Sequence, residues 1–194
     1  MKQQEVNFIE WSKRAYQCAC NHGFHDKTFS DEHWMMMTIG EVSEMVEAHR
    51  KGRFADVEAF KKSDTVNDGE FKDKFNRFVK DTVEDEMADI IIWLADYAGM
   101  KGYEIEADEL YILRLCDAMN GHVKIEGSIS ELGFRITKTL SSGTTDKSED
   151  KILISTVIQF LYSIAAEMNI DLSWHVEQKM RYNELRPMLN EKRY

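Results

Sequence analysis

Apolar residues along this chain recur three and four positions apart, block after block, the spacing that lines one face of an α-helix. In 4–20 (QEVNFIEWSKRAYQCAC) the stripe is Phe8, Trp11, Ala15 and Cys18. Met35, Ile39, Val42 and Val46 repeat it in the next block. There Ser30 is the expected N-cap, Asp31 and Glu32 favour the positive helix end, and Gly52 sits where a C-cap glycine belongs. A third helix, capped by Thr82, buries Met87, Ile90, Ile91, Leu94 and Ala98 and stops near Gly99 and Gly102. Further amphipathic helices are predicted over 106–119, 128–141, 151–168 and 172–186. Asp171 caps the last of them, which ends before the only proline, Pro187. The stretch 53–80 is of mixed charge, with Asp68-Gly69 as a turn. It is either a surface insertion or a helix carrying Phe71, Phe75, Phe78 and Val79. Residues 141–150 read as a loop around Gly143. No stretch shows the period of two that a half-buried strand needs, so the predicted class is all-α.

The pattern also repeats weakly. IIIWLADYAGMKGYEI (90–105) lies over VIQFLYSIAAEMNIDL (157–172), pairing Trp93 with Phe160, Leu94 with Leu161 and Ala98 with Ala165. GEVSEMVEAHR (40–50) lies over SELGFRITKTL (130–140). Two amphipathic helices can match by chance. If the repeat is real, 1–194 is a single all-α domain built as a pseudo-dimer, with 1–105 and 106–194 as its halves.

Charge narrows the class. A net charge of -10 argues against a general nucleic-acid-binding surface. With 43% hydrophobic and 11% aromatic residues the chain has the material for a packed core. Three cysteines (Cys18, Cys20 and Cys116) form a sparse set without zinc-ligand companions, which fits a reduced, cytoplasmic setting. A signal-peptide core and a run of membrane-spanning length are both absent from the pattern, so no membrane role is expected.

The acidic residues suggest chemistry. Glu41 and Glu44 are three apart on one helix, and Glu86 and Asp89 three apart on another, so each pair projects side by side. Such a spacing is common in a chain with 35 acidic residues. These two pairs differ in lying beside long apolar runs, where carboxylates are costly to desolvate and repel one another unless cations neutralise them. Two such helices packed together would present four carboxylates to a hard divalent cation. In the second half of the repeat only Glu41 keeps an acidic counterpart, Glu131; Glu44 meets Phe134, Glu86 meets Leu153 and Asp89 meets Thr156.

Four segments in order, NHGFH (21–25), MTIGEVSEMVEAHRKG (37–52), EDEMADIIIWLADYAG (84–99) and HVEQKMRYNELRP (175–187), resemble the MazG-like all-α NTP pyrophosphatase superfamily, which includes the dCTP pyrophosphatases and dimeric dUTPases. The family pattern is EExxE followed by ExxD. Gly40 stands at its first position here, and the gap between the two motifs is longer than usual.

The resemblance implies a MazG-like bundle that hydrolyses a nucleoside triphosphate to the monophosphate and diphosphate, as in clearance of unwanted nucleotides. It implies Glu41, Glu44, Glu86 and Asp89 as ligands of Mg²⁺ (or Mn²⁺), with Glu41 also orienting the attacking water. Lys179, Asn183 and Arg186, spaced along one face of the last helix, match the family's C-terminal motif as phosphate-binding groups, with Tyr182 beside them. Trp34, two turns before Glu41, is the candidate base platform, and Asn21 and His25 are candidates for base or sugar contacts. Asp96 is a further acid on the Glu86/Asp89 face, whereas Trp93 reads as core. A homodimer is expected. Two other readings stay open: a dUTPase/dUDPase of the dimeric type, and a regulatory nucleotide- or partner-binding protein without catalysis.

Overall fold

The computed structural model describes residues 7–62, 67–106, 127–142 and 146–191. They form eight α-helices and a 3-10 turn, with no strand among the described residues: α1 (Phe8–Asn21), α2 (Asp31–Arg50), α3 (Val57–Lys61), α4 (Asp68–Phe78), α5 (Val83–Lys101), α6 (Ile129–Leu140), α7 (Lys147–Glu167), α8 (Leu172–Glu184) and the turn Met188–Glu191. The all-α expectation holds. From residue 107 onward, the helix expected over 106–119 lies outside the described residues. Among the described residues no single helix is long and apolar enough to cross a membrane.

The chain is built around α5. Its sequence is apolar on nearly every side, and Met87, Ala88, Ile90, Ile91, Leu94, Ala95 and Ala98 are all fully buried. On one side α2 packs on α5 and α6, α6 on α7, and α7 back on α5, closing a ring of four helices. On the other side α1 and α8 pack on α5 and on each other. The α1–α5 crossing is close at Gly99, where an added Cβ would lie 2.4 Å from the Ser12 carbonyl oxygen and 2.6 Å from Tyr16 Cβ.

Caps explain most helix limits. Thr82 and Asp171 accept from the Asp85 and Trp174 amides. Ser30 holds the N-cap position of α2 in extended backbone but makes no side-chain capping bond. Helix α7 starts four residues earlier than its apolar run, because Asp146 accepts from the Ser148 and Glu149 amides; of the expected 141–150 loop, 143–145 with Gly143 lie outside the described residues. The buried arc of α2 is Trp34, Thr38, Val42, Met45 and Ala48, while Met35, Ile39 and Val46 are only partly covered. The arc is rotated from the predicted stripe because α2 packs against both α5 and α6.

The described parts of the 53–80 stretch, 53–62 and 67–80, carry α3 and α4. Asp68-Gly69 is the first turn of α4, capped by Asn67, rather than an isolated turn. Phe60, Phe71, Phe75 and Val79 make a small second core with Tyr182 of α8, and Trp174 and Leu185 pack against it.

Candidate functional site

Between α1, α2, α5 and α8 runs a cleft of about 270 Å³. Helix α5 supplies its floor: Glu86, Asp89, Trp93 and Asp96 recur at three- and four-residue intervals, so they lie along one face of the helix and all reach the cleft.

At one end, carboxylate oxygens of Glu41, Glu44 and Glu86 lie within 4.8 Å of one another. Glu44 is exposed, Glu41 is partly buried and Glu86 is buried. Burial, with the nearby charges of Asp89 and Glu44, pushes Glu41 up to about 7; the Trp93 indole opposes this by donating from Nε1 to Glu41 Oε1 at 3.0 Å. Burial and the charges of Asp89 and Asp85 push Glu86 up to about 9, against the pull of Lys179. Protein groups alone therefore leave this cluster under-neutralised.

Asp89 lines the same cleft, but its Oδ2 is 2.7 Å from Lys179 Nζ, which also lies 2.9 Å from Asp85 Oδ1. Burial alone would lower the Lys179 ammonium; Asp85 and Asp89 outweigh it and hold the shift upward. Asp85 is buried too, and burial raises it to about 6 in spite of Lys179. A second trio, Asp81, Asp85 and Glu86, brings carboxylate oxygens within the same 4.8 Å.

The other end is more apolar, walled by Cys18, Ala19, Phe24, Met37, Ile92 and Trp93. Asp96 lies on this side, and Glu184, which also lines the cleft, acts with it on Cys18. The His25 Nε2–H donates to Asp96 Oδ1 at 2.8 Å, and burial raises the Asp96 carboxyl against the stabilising effect of that bond.

The structure thus brings Glu41, Glu44, Glu86, Asp89, Lys179, Asn183 and Arg186 to one cleft. Arg186 lies two residues past the end of α8, on the turn that follows it. The other predicted contacts are elsewhere. Trp34 is 2% exposed and packs under the cleft, stacked on His25 with ring centroids 4.7 Å apart. His25 faces inward to Asp96. Asn21 ends α1 in solvent, accepting from Gln17 at 2.9 Å. The Tyr182 phenol donates to Asn76 Oδ1 at 2.7 Å and its ring stacks on Phe75 in the small core.

Sequence reasoning passed over Asp85 and gave Trp93 to the core. Asp85 reads as one of several acids favouring the helix start, and its partner lies 94 residues away (179 − 85). Trp93 sits one position from the apolar stripe, and its separation from Asp89 and Asp96 (four and three) was the available signal. Compared with family models, curated proteins and solved structures, the chain matches none.

Proposed function

We propose that this protein is a divalent-metal-dependent nucleotide pyrophosphohydrolase of the MazG-like kind, cleaving a nucleoside triphosphate to the monophosphate and diphosphate. The observation that carries this reading is the trio Glu41, Glu44 and Glu86, with oxygens within 4.8 Å, in a cleft that also holds Lys179, Asn183 and Arg186. An acidic floor facing cationic groups suits a polyphosphate escorted by a cation better than either alone.

The donor set fits Mg²⁺. It is all oxygen, and the upward shifts of Glu41 and Glu86 mark carboxylates that lack a counter-charge. Glu41, Glu44 and Glu86 would hold the ion, and Asp89 would join them on release from Lys179. Bound there, Mg²⁺ supplies charge neutralisation of the phosphates and a template for in-line displacement.

The chain's own groups then divide the work. Glu41, held by Trp93, accepts the proton of the attacking water. The water oxygen bonds to the α-phosphorus as the bond to the bridging oxygen breaks, and the β- and γ-phosphates leave as diphosphate. Lys179 and Arg186 offset charge on that leaving group, and Asn183, whose Oδ1 is buried without a partner, orients it through its amide. The apolar end of the cleft excludes water around the base.

The ring of α2, α5, α6 and α7 supports the pseudo-dimer reading, since the helices matched in sequence are paired in it. One observation favours a non-catalytic binding protein instead: Asp89 is engaged by Lys179 rather than turned to the other three acids. The deciding experiment is diphosphate release from a panel of canonical and modified nucleotides with Mg²⁺, with EDTA, and with Glu41→Gln. Metal-dependent release reduced at least about 100-fold in the variant is expected; no release from any nucleotide would favour the binding protein.

A further inference from the structure

One acid on the more apolar side of the cleft, Asp96, has no part in the phosphate chemistry, and it is held from behind. Asp96 is 4% exposed and lines the cleft. Its Oδ1 takes the His25 Nε2–H at 2.8 Å. His25 is fixed in turn by stacking on Trp34 (4.7 Å, 22° between planes) and by the edge contact of Tyr16 (4.8 Å, 72°). This is a group whose position is set by a second layer of packing, as recognition requires. The His25 bond is made to Oδ1 and leaves Oδ2 outside it.

Its distance from the metal-binding end is also informative. Asp96 follows Asp89 by seven residues on α5, two turns or roughly 10 Å along the axis. That is about the span from an α-phosphate to the edge of a base in an extended nucleotide. Trp93 lies between them, with Phe24 and Ile92 also on the apolar wall, so a flat ring has a place to lie.

We propose that Asp96, positioned by His25, is a specificity-determining residue that selects nucleotides whose base carries an exocyclic amine. The inference rests on the hydrolase reading for its substrate class. A carboxylate only accepts hydrogen bonds. Cytosine and adenine present amine donors at their edge, and guanine presents an amine beside a ring N–H. Uracil and thymine present carbonyl oxygens on both sides of one N–H. A carboxylate that took that single N–H would be pressed against the flanking acceptor oxygens, which is costly in a dry pocket. The charged acceptor strengthens the bond to the correct base.

The test is kcat/KM for diphosphate release with dCTP, dATP and dGTP against dUTP and dTTP, in wild type and in Asp96→Asn. Wild type is expected to favour at least one amine-bearing base over dUTP and dTTP by about tenfold or more. In Asp96→Asn, whose amide can donate as well as accept, that ratio should fall to within about threefold. A wild-type enzyme that hydrolyses dUTP or dTTP as well as the others overturns the inference, and so does a variant that slows all five equally. If Asp96→Asn does not fold, the wild-type ranking decides alone. If no nucleotide is hydrolysed, the hydrolase reading fails separately. Calorimetric titration with dCMP, dAMP, dGMP and dUMP then decides: tighter binding of an amine-bearing base supports the role of Asp96, and equal or tighter dUMP binding removes it.

Discussion

Trp93 and Glu41 meet across the α2–α5 contact, the indole Nε1–H donating to Glu41 Oε1 at 3.0 Å. Burial and two neighbouring acids favour the neutral form of Glu41; this bond is the largest single influence the other way. A bond to the charged form lowers a carboxyl pKa, so removing the donor raises it. Trp93→Phe is therefore expected to move Glu41 upward from about 7, by up to about one unit, which carbon-13 NMR titration of the metal-free protein would read directly. The acid limb of the activity profile should shift to higher pH with it.

The same cluster ties stability to pH. Glu41 and Glu86 have folded-state values near 7 and 9, both above the ordinary 4.5, so the folded protein binds more protons than the unfolded chain in that interval. Their contribution is complete below about 4.5 and is lost as pH rises through the folded values. Buried His175, lowered to about 4, acts the other way below its ordinary 6.5, so between about pH 6.5 and pH 9 the metal-free Tm should fall, on the order of 5 °C after allowance for solvent screening. Mg²⁺ should recover more of it at pH 9 than at about pH 6.5. Thermal melts with Mg²⁺ and with EDTA, at matched ionic strength, would check both slopes; a Tm that rises with pH over that interval would contradict the assignment.

Lys179 is buried between Asp85 and Asp89. Lys179→Met leaves the buried Asp85 and the partly buried Asp89 without their counter-charge, and a loss of about 3–5 kcal/mol in urea denaturation is expected. Adding Asp85→Asn to that variant should restore part of it, because one of the stranded charges is gone. Equal loss in the single and double variants would mean that Lys179 matters through packing alone.

Two glycines on the principal helices give opposite expectations for the same change. At Gly40 nothing lies within 4 Å of an added Cβ, so Gly40→Ala should stabilise by about 0.5–1 kcal/mol through helix propensity. At Gly99 the added Cβ meets the Ser12 carbonyl oxygen at 2.4 Å, a backbone atom that cannot swing aside. There α1 must move, and a net destabilisation of about 1–3 kcal/mol is expected. Paired denaturation curves of the two variants would separate propensity from helix spacing.

Much of this architecture was legible from periodicity. The helices now labelled α1, α2, α5, α6, α7 and α8 follow their apolar spacing to within a few residues, because each buries a face and the pattern records it. The register of burial was less legible: α2 turns a different arc inward because two helices, not one, cover it. The gathering of Glu41, Glu44 and Glu86 followed from pairs spaced three apart beside apolar runs. The pairing of Lys179 with Asp85, the indole bond to Glu41 and the inward turn of His25 did not, since each depends on contacts between helices distant in sequence. Trp34 shows the limit plainly. Its distance from Glu41 along α2 suited a base platform, but helical spacing does not say on which side the cleft opens.

Helix α8 touches both hydrophobic bodies of the molecule. Leu172, Val176 and Met180 belong to the large one; Trp174, Tyr182 and Leu185 belong to or pack on the small one built from α3 and α4. The acidic floor of the cleft stands on the large body alone, whereas Lys179 and Asn183 ride on the helix held by both. The width of the cleft is thus a mechanical quantity with two adjusters. Lys179 Nζ lies 5.6 Å from the centre of the Phe75 ring, so a ligand that draws Lys179 inward would also pull on Phe75, and the packing of α3 and α4 would bear on where that cation stands in the cleft.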